Sequence, residues 1–265
     1  MSDFVHLHTH SEYSLLDGLG KLDHLIERAK SYGMNALAVT DHGAMYGAFK
    51  FYLKAKAAGI KPIIGVETYV ARRTRFDKEA KLDTDPYHLV LIAENNTGYK
   101  NLLKLVTTAH LEGFYYKPRV DWQLLQQYHE GLICLSACLQ GQVPQLLRDN
   151  QDTEAEETAK NYAALFGPDH YYLELQRHPH IPDCDAVNEK LVFMAKKLGL
   201  PIVATNDIHY VDAQDAEAQE ILLCVQTQET MRNSNRKMTM IDSPDFYMRS
   251  GEEMKGLFIQ YPDAI

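Results

Sequence analysis

Four short segments of this 265-residue chain carry side chains that bind metal ions: His8-Thr9-His10, Thr40-Asp41-His42-Gly43, Gly65-Val66-Glu67 and Asn206-Asp207-Ile208-His209. Neutral imidazole and carboxylate are ligands for zinc and other borderline divalent ions, and a shared glutamate commonly ties two ions together. Residues of like parity on a strand share one face, so His8 and His10 can aim at one ion, as can Asp207 and His209. Asp17 and His42 are candidates for a second position, with Glu67 as a bridge. Two or three closely spaced ions suit phosphoester hydrolysis, because they stabilise both the attacking hydroxide and the leaving oxygen. A lone His at a strand end is more often a hydrogen-bonded structural residue. Ligand-capable residues at six strand ends outweigh that reading.

These residues sit where apolar, strand-like runs end. Strands are expected at residues 4–7, 36–39, 60–71, 88–93, 132–136, 171–175 and 201–205. Helical stretches are expected at about 21–32, 45–58, 98–110, 122–128, 185–198 and 213–225, with two more between the fifth and sixth strands. Compact apolar strands alternating with helices read as buried parallel strands joined by right-handed crossovers. The expected fold is therefore α/β, a closed TIM-like barrel of seven βα units. Functional side chains of such a barrel gather at the carboxyl ends of its strands. Residues 226–265 break the alternation, which divides the chain into a barrel domain at 1–225 and an extension at 226–265.

Composition excludes several classes. No run approaches the roughly 20 apolar residues of a membrane span, and the N-terminus lacks a secretion-signal layout, so a cytoplasmic protein is expected. Cys134, Cys138, Cys184 and Cys224 have no disulfide-framework spacing. A net charge of -9 argues against a general nucleic-acid-coating surface. A metal cluster can reverse that sign locally. Arg72, Arg73 and Arg75 follow the strand bearing Glu67 and open onto the same rim, and Tyr115, Lys117 and Arg119 lie in an aromatic, basic loop; both groups are candidates to contact a phosphate-bearing substrate. A solvated charged loop or a contact with another domain is equally compatible with both segments. His6 reads as a core or supporting residue, and His178 and His180 face the functional rim as candidate substrate contacts or a plain loop.

The runs Phe4-Val5-His6-Leu7-His8-Thr9-His10-Ser11-Glu12-Tyr13-Ser14-Leu15-Leu16-Asp17-Gly18 and Ala38-Val39-Thr40-Asp41-His42-Gly43 resemble the first two motifs of the PHP family, the polymerase and histidinol phosphatase domains. Ala93-Glu94-Asn95-Asn96-Thr97-Gly98-Tyr99, Gly113-Phe114-Tyr115-Tyr116-Lys117-Pro118-Arg119 and Ala204-Thr205-Asn206-Asp207-Ile208-His209-Tyr210 resemble, more narrowly, the branch at the N-terminus of bacterial DNA polymerase III alpha subunits. The likeness runs from end to end. It implies a distorted (βα)7 barrel with three divalent ions, zinc first, manganese or iron next. One ion takes His8, His10, Glu67 and Asp207, a second Glu67, His88 and Cys138, and a third Asp17, His42 and His209. All nine positions hold a metal-capable residue.

The resemblance implies a 3'-5' exonuclease acting on a DNA 3' end for proofreading. A metal-activated hydroxide would be the nucleophile, and Glu67, Asp207 and His10 the residues closest to the chemistry. The implied partners are the polymerase core of the same subunit and other replisome proteins, with no nucleotide addition by this chain alone. The chain reads as the leading piece of a longer subunit, with 226–265 running toward the polymerase core. The alternatives are a small-molecule phosphatase of the histidinol phosphatase type and a noncatalytic metal-binding scaffold.

Overall fold

The structure, a computed structural model, describes residues 4–265. The apolar runs become eight strands: β1 Ala36–Val39, β2 Lys61–Val70, β3 Tyr87–Ala93, β4 Phe114–Tyr115, β5 Lys117–Val120, β6 Leu132–Leu135, β7 Tyr171–Gln176 and β8 Ile202–Thr205. Nine α-helices are described: α1 Leu22–Ser31, α2 Ala48–Ala58, α3 Asn96–Leu111, α4 Trp122–Tyr128, α5 Gln142–Arg148, α6 Asp152–Phe166, α7 Cys184–Leu198, α8 Ala216–Thr227 and α9 Gly251–Leu257. Local chemistry sets several ends. Asn95 caps α3 by accepting from the amides of Thr97 and Gly98, and Gly59 and Gly199 close α2 and α7 in the left-handed conformation.

Strand pairing runs β1-β2-β3-β6-β7-β8, and β1 pairs β2 in parallel register, Ala36 with Lys61 and Val39 with Ile64. One expectation is corrected here: β3 is antiparallel to both β2 and β6, so the barrel is not wholly parallel. β2 reaches β3 through the loop at 71–86 without a crossover helix, and a direct return can only be antiparallel.

The expected first strand at residues 4–7 is also revised. That segment joins no regular ladder; residues 6–10 instead fill the gap between β1 and the chain just after β8. Ala38 N donates to His6 O at 3.0 Å and Thr40 N to Thr9 O at 2.8 Å on one side. On the other, Ile208 N donates to His8 O at 3.2 Å and His10 N to Ile208 O at 2.7 Å. With this segment as the closing member, the ring has seven staves. The loop expected at 113–119 contains the β4–β5 hairpin, which turns at Tyr116 and extends the sheet beyond β2.

Leu89 and Leu91 face the helices and join the main core, whereas Val90 and Ile92 face the barrel interior with Leu135, Leu7 and Ile63. His88 has the parity of Val90 and Ile92, and Glu67 that of Ile63. The ligand candidates therefore cap the interior columns at one rim. Residues 226–265 pack onto this body: Tyr247 bridges Tyr210, and Met248, Met254 and Phe258 are buried in the main core. No helix among the described residues is long and apolar enough to cross a membrane.

Candidate metal centre

The barrel rim gathers residues from seven places in the chain. His8 and His10 come from the closing stave, Asp17 from the loop after it, and His42 from the turn after β1. Glu67 lies inside β2, which runs three residues past it to pair with β3 and β5. His88 stands near the start of β3. Because that strand is antiparallel, its beginning lies at the rim where its neighbours end. Cys138 follows β6, and Asp207 and His209 follow β8.

Tight backbone turns aim several of these groups. A Cβ on Gly18 would lie 2.2 Å from Ser11 O, so only glycine allows the turn that carries Asp17 back to the rim. Asp207 has a φ of 48°, a left-handed conformation uncommon for a residue with a side chain, and Ala137, just before Cys138, has 64°.

The distances trace a polyhedron in which His8, His10 and Asp207 make one face and Glu67 meets His8 and His10 with different oxygens. His8 Nε2 lies 3.1 Å from His10 Nε2, 3.2 Å from Asp207 Oδ1 and 3.4 Å from Glu67 Oε1. His10 Nε2 lies 3.1 Å from Asp207 Oδ1 and 3.5 Å from Glu67 Oε2. A tetrahedron with zinc-to-ligand bonds of about 2.0–2.1 Å has edges of about 3.3–3.4 Å. Beside this polyhedron, His42 places Nδ1 2.7 Å from Glu67 Oε2 and Nε2 2.7 Å from Asp17 Oδ2, and His88 Nδ1 lies 2.9 Å from Glu67 Oε1. Cys138 Sγ is 3.8 Å from His88 Nδ1, and His209 Nε2 is 3.7 Å from Asp17 Oδ2.

The hydrogen bonds decide which nitrogens are free. A carboxylate only accepts, so His8 Nδ1, 2.7 Å from Glu174 Oε1, carries the proton, and Nε2 offers a lone pair. Ser14 spends its hydroxyl proton on Asp41 at 2.7 Å and accepts from His10 Nδ1 at 3.2 Å. His209 Nδ1 donates to Asp207 O at 2.8 Å. Three imidazoles thus turn lone pairs inward while their outer N–H groups are anchored, the pattern by which proteins orient metal-binding histidines. The lone pairs of His8 and His10 repel at 3.1 Å unless a cation or a proton lies between them. Asp17 Oδ1 is buried and lacks a hydrogen-bond partner, and Glu67 Oε2 meets only the His42 imidazole, at 2.7 Å. The residues fit divalent metal.

The electrostatics agree. Burial disfavours a charged His8, but Asp207, Glu174 and Glu67 overcome it and drive its pKa well up. The same contest raises His42 to about 10, with Glu67 and Asp17 prevailing over burial. His10 goes the other way, to about 3, under burial and repulsion from His42 and His209. Burial would raise Glu67 and Asp207, yet the surrounding imidazoles hold both carboxyls well below the usual range. The Cys138 thiol is pushed up by burial, then by Glu67 and Asp207. Protons here stand in for cations that would displace them.

A cavity of about 420 Å³ opens over this cluster, with Asp17, His42, Glu67, His88, Cys138, Asp207 and His209 at its lining. A family model described as "PHP domain" matches residues 6–178, which span all of the candidate ligands except Asp207 and His209. The chain belongs to the PHP domain family.

Over its full length this PHP domain is 48% identical to a protein named DNA polymerase III subunit alpha from Borreliella burgdorferi, of which it covers 23%. Over 99% of its length it is 49% identical to the protein of the same name from Treponema pallidum, covering 22% of it. The domain thus spans less than a quarter of these relatives. Among solved structures, an amidohydrolase from Chromobacterium violaceum aligns at 16% identity with a TM-score of 0.48, covering 78% of this chain and 87% of that one.

The candidate DNA contacts of the PHP domain divide sharply. Arg119 is fully buried, and its guanidinium donates to the carbonyls of Gly113, Asp83, Arg75 and Asp77, so it fastens loops together and is not placed to meet phosphate. Arg75 is buried against Asp121 and Glu112, which corrects its expected role in the same way. Arg72 pairs with Asp85, and Arg73 with Asp83 and Glu79, though both are exposed. Lys117 remains exposed with its ammonium 5.2 Å from the Tyr69 ring, which itself stacks on His42 at 5.7 Å. Tyr115 is half-buried beneath Arg119. His6 is buried and donates from Nε2 to Arg249 O at 2.8 Å.

Three supporting residues escaped the sequence reading. Glu174, Ser14 and Asp41 are buried polar groups that orient His8 and His10. Glu174 had a signal: a carboxylate in the middle of the apolar strand Tyr171–Gln176, where an unpaired charge would be costly.

Proposed function

We propose that this PHP domain is a metal-dependent phosphodiesterase that removes nucleotides from a DNA 3' end, a 3'-5' exonuclease serving proofreading within a polymerase subunit. The observation that carries the reading is the polyhedron of His8, His10, Glu67 and Asp207, with lone pairs turned inward at 3.1–3.5 Å. Glu67, His88 and Cys138 would hold a second ion, and Asp17, His42 and His209 a third, with zinc best suited and manganese or iron also compatible.

Bound ions would supply positive charge for a phosphate and lower the pKa of coordinated water. The chain's own residues do the positioning. Glu67 presents one oxygen toward His8 and His88 and the other toward His10 and His42, so it joins the sub-sites. Asp207 fixes the opposite edge against both His8 and His10, and Ser14 holds the His10 ring in the tautomer that leaves Nε2 free. The cavity that opens over the cluster would admit a phosphodiester to the oxygen and nitrogen ligands.

The name of the relatives supports DNA as the substrate and a polymerase core as the partner; a 3' end, other replisome subunits and a cytoplasmic setting complete the proposal. Residues 226–265 would lead toward that core. The purified domain, supplied with Mn or Zn and a labelled primer bearing a 3' mismatch, is expected to shorten the primer, and Asp207→Asn to stop it. Hydrolysis of small monoesters alone would replace this reading with a phosphatase, and full metal occupancy without hydrolysis would leave a scaffold.

A further inference from the structure

His178, on the loop after β7, is 2% exposed and lines the cavity over the metal cluster. Neither of its ring nitrogens has a hydrogen-bond partner among the described residues. Buried polar groups normally find partners, and His6, equally buried, has spent Nε2 on Arg249. The His178 ring stacks on Phe246 with centroids 4.1 Å apart and planes 19° apart, and Phe246 meets the candidate ligand His209 edge-on at 5.6 Å. One aromatic ring therefore separates His178 from the cluster.

Burial lowers the His178 pKa to about 4, so at neutral pH the ring offers one N–H donor and one acceptor. The cavity wall brings apolar Ile181, Pro182, Met240 and Phe246 together with polar Gln176, His180, Asp183 and Asp242. The neighbouring hydroxyls of Thr239 and Ser243 are already engaged with Arg236 and Asp245. Apolar side chains beside a ring with an unspent donor and acceptor match a nucleoside, whose base has two apolar faces and a polar edge.

We propose that this wall is the nucleoside subsite of the metal centre and that His178 is its polar anchor, hydrogen-bonding the terminal nucleoside whose phosphate lies at the cluster. The proposal rests on the reading of the centre as a phosphodiesterase site, and it names what recognises the leaving nucleotide.

Binding tests it apart from turnover. Calorimetry on the Mn-loaded chain would compare thymidine 5'-monophosphate with methyl phosphate. The wild type is expected to prefer the nucleotide at least tenfold, and His178→Phe, which keeps the stack and removes both nitrogens, to reduce that preference by about tenfold. Metal content and methyl phosphate affinity are expected to stay unchanged. His178→Gln, which retains a donor and an acceptor, should keep part of the preference if the phenylalanine variant misfolds. No preference in the wild type, or an equal loss for both phosphates in His178→Phe, overturns the proposal. A His178-dependent preference without any hydrolysis of a dinucleotide or of bis(p-nitrophenyl) phosphate would sustain the subsite while removing the phosphodiesterase reading.

Discussion

The metal rim and the arginine loops beside it are both dense in charge, and they differ in where their polar atoms point. In the loops, each guanidinium has found an internal partner: Arg119 on four carbonyls, Arg75 on Asp121 and Glu112, Arg73 on Asp83. At the rim, lone pairs of His8, His10, Glu67 and Asp207 face one another, and Asp17 Oδ1 has no donor. Satisfied polar groups hold a structure together. Mutually unsatisfied ones, kept in place by anchored neighbours, are set for a ligand.

Removing the bridge should have the largest effect. Glu67→Gln is expected to cost at least one ion per chain by elemental analysis and to lower phosphodiester hydrolysis by on the order of a thousandfold. An unchanged metal content would erase the distinction between rim and loops. Arg119→Met tests the other side. It strands buried carbonyls and should destabilise the fold by about 2–4 kcal/mol in urea melts while metal content holds. Weaker DNA binding at undiminished stability would instead return Arg119 to the substrate surface.

Glu174→Gln sharpens the contrast, since it touches no ion yet loosens the anchor of His8. Metal affinity should fall about 10- to 100-fold, the usual cost of losing such a partner. Competition with protons gives the next measure. His8 and His42 have raised pKa values and so hold protons at pH 7, and metal must expel them; affinity is lost as pH falls and gained as it rises. Each displaced proton contributes about a tenfold change in affinity per pH unit, read as proton release in weakly buffered titrations. A pH-independent affinity between 6 and 8 would contradict the arrangement of free nitrogens. The smallest change is expected at Lys117, whose exposed ammonium can reach phosphate: Lys117→Ala should leave stability within about 0.5 kcal/mol and reduce the salt slope of single-strand binding by about one.

Much of this was legible from the chain alone. The apolar run Ala36–Val39 and the helix Trp122–Tyr128 fall where periodicity placed them, because hydrophobic spacing and caps such as Asp121 act within a few residues. The parity of His8 with His10 and of Asp207 with His209 put each pair on a common face. Their resemblance to PHP motifs named the remaining ligand candidates, His88 and Cys138, which spacing left open.

Direction and partnership were decided only in three dimensions. Nothing local in Tyr87–Ala93 distinguishes a parallel strand from an antiparallel one, yet the reversal of β3 is what carries His88 to the rim. The closing stave at residues 6–10 is held by hydrogen bonds to residues near 40 and 208, too distant in sequence for periodicity to register. Arg119 and Lys117 look alike as basic residues of one loop, and only packing buries the first against carbonyls and leaves the second in solvent. Side-chain type and spacing follow from the chain itself; whether a polar atom is spent or free depends on which distant backbone arrives beside it.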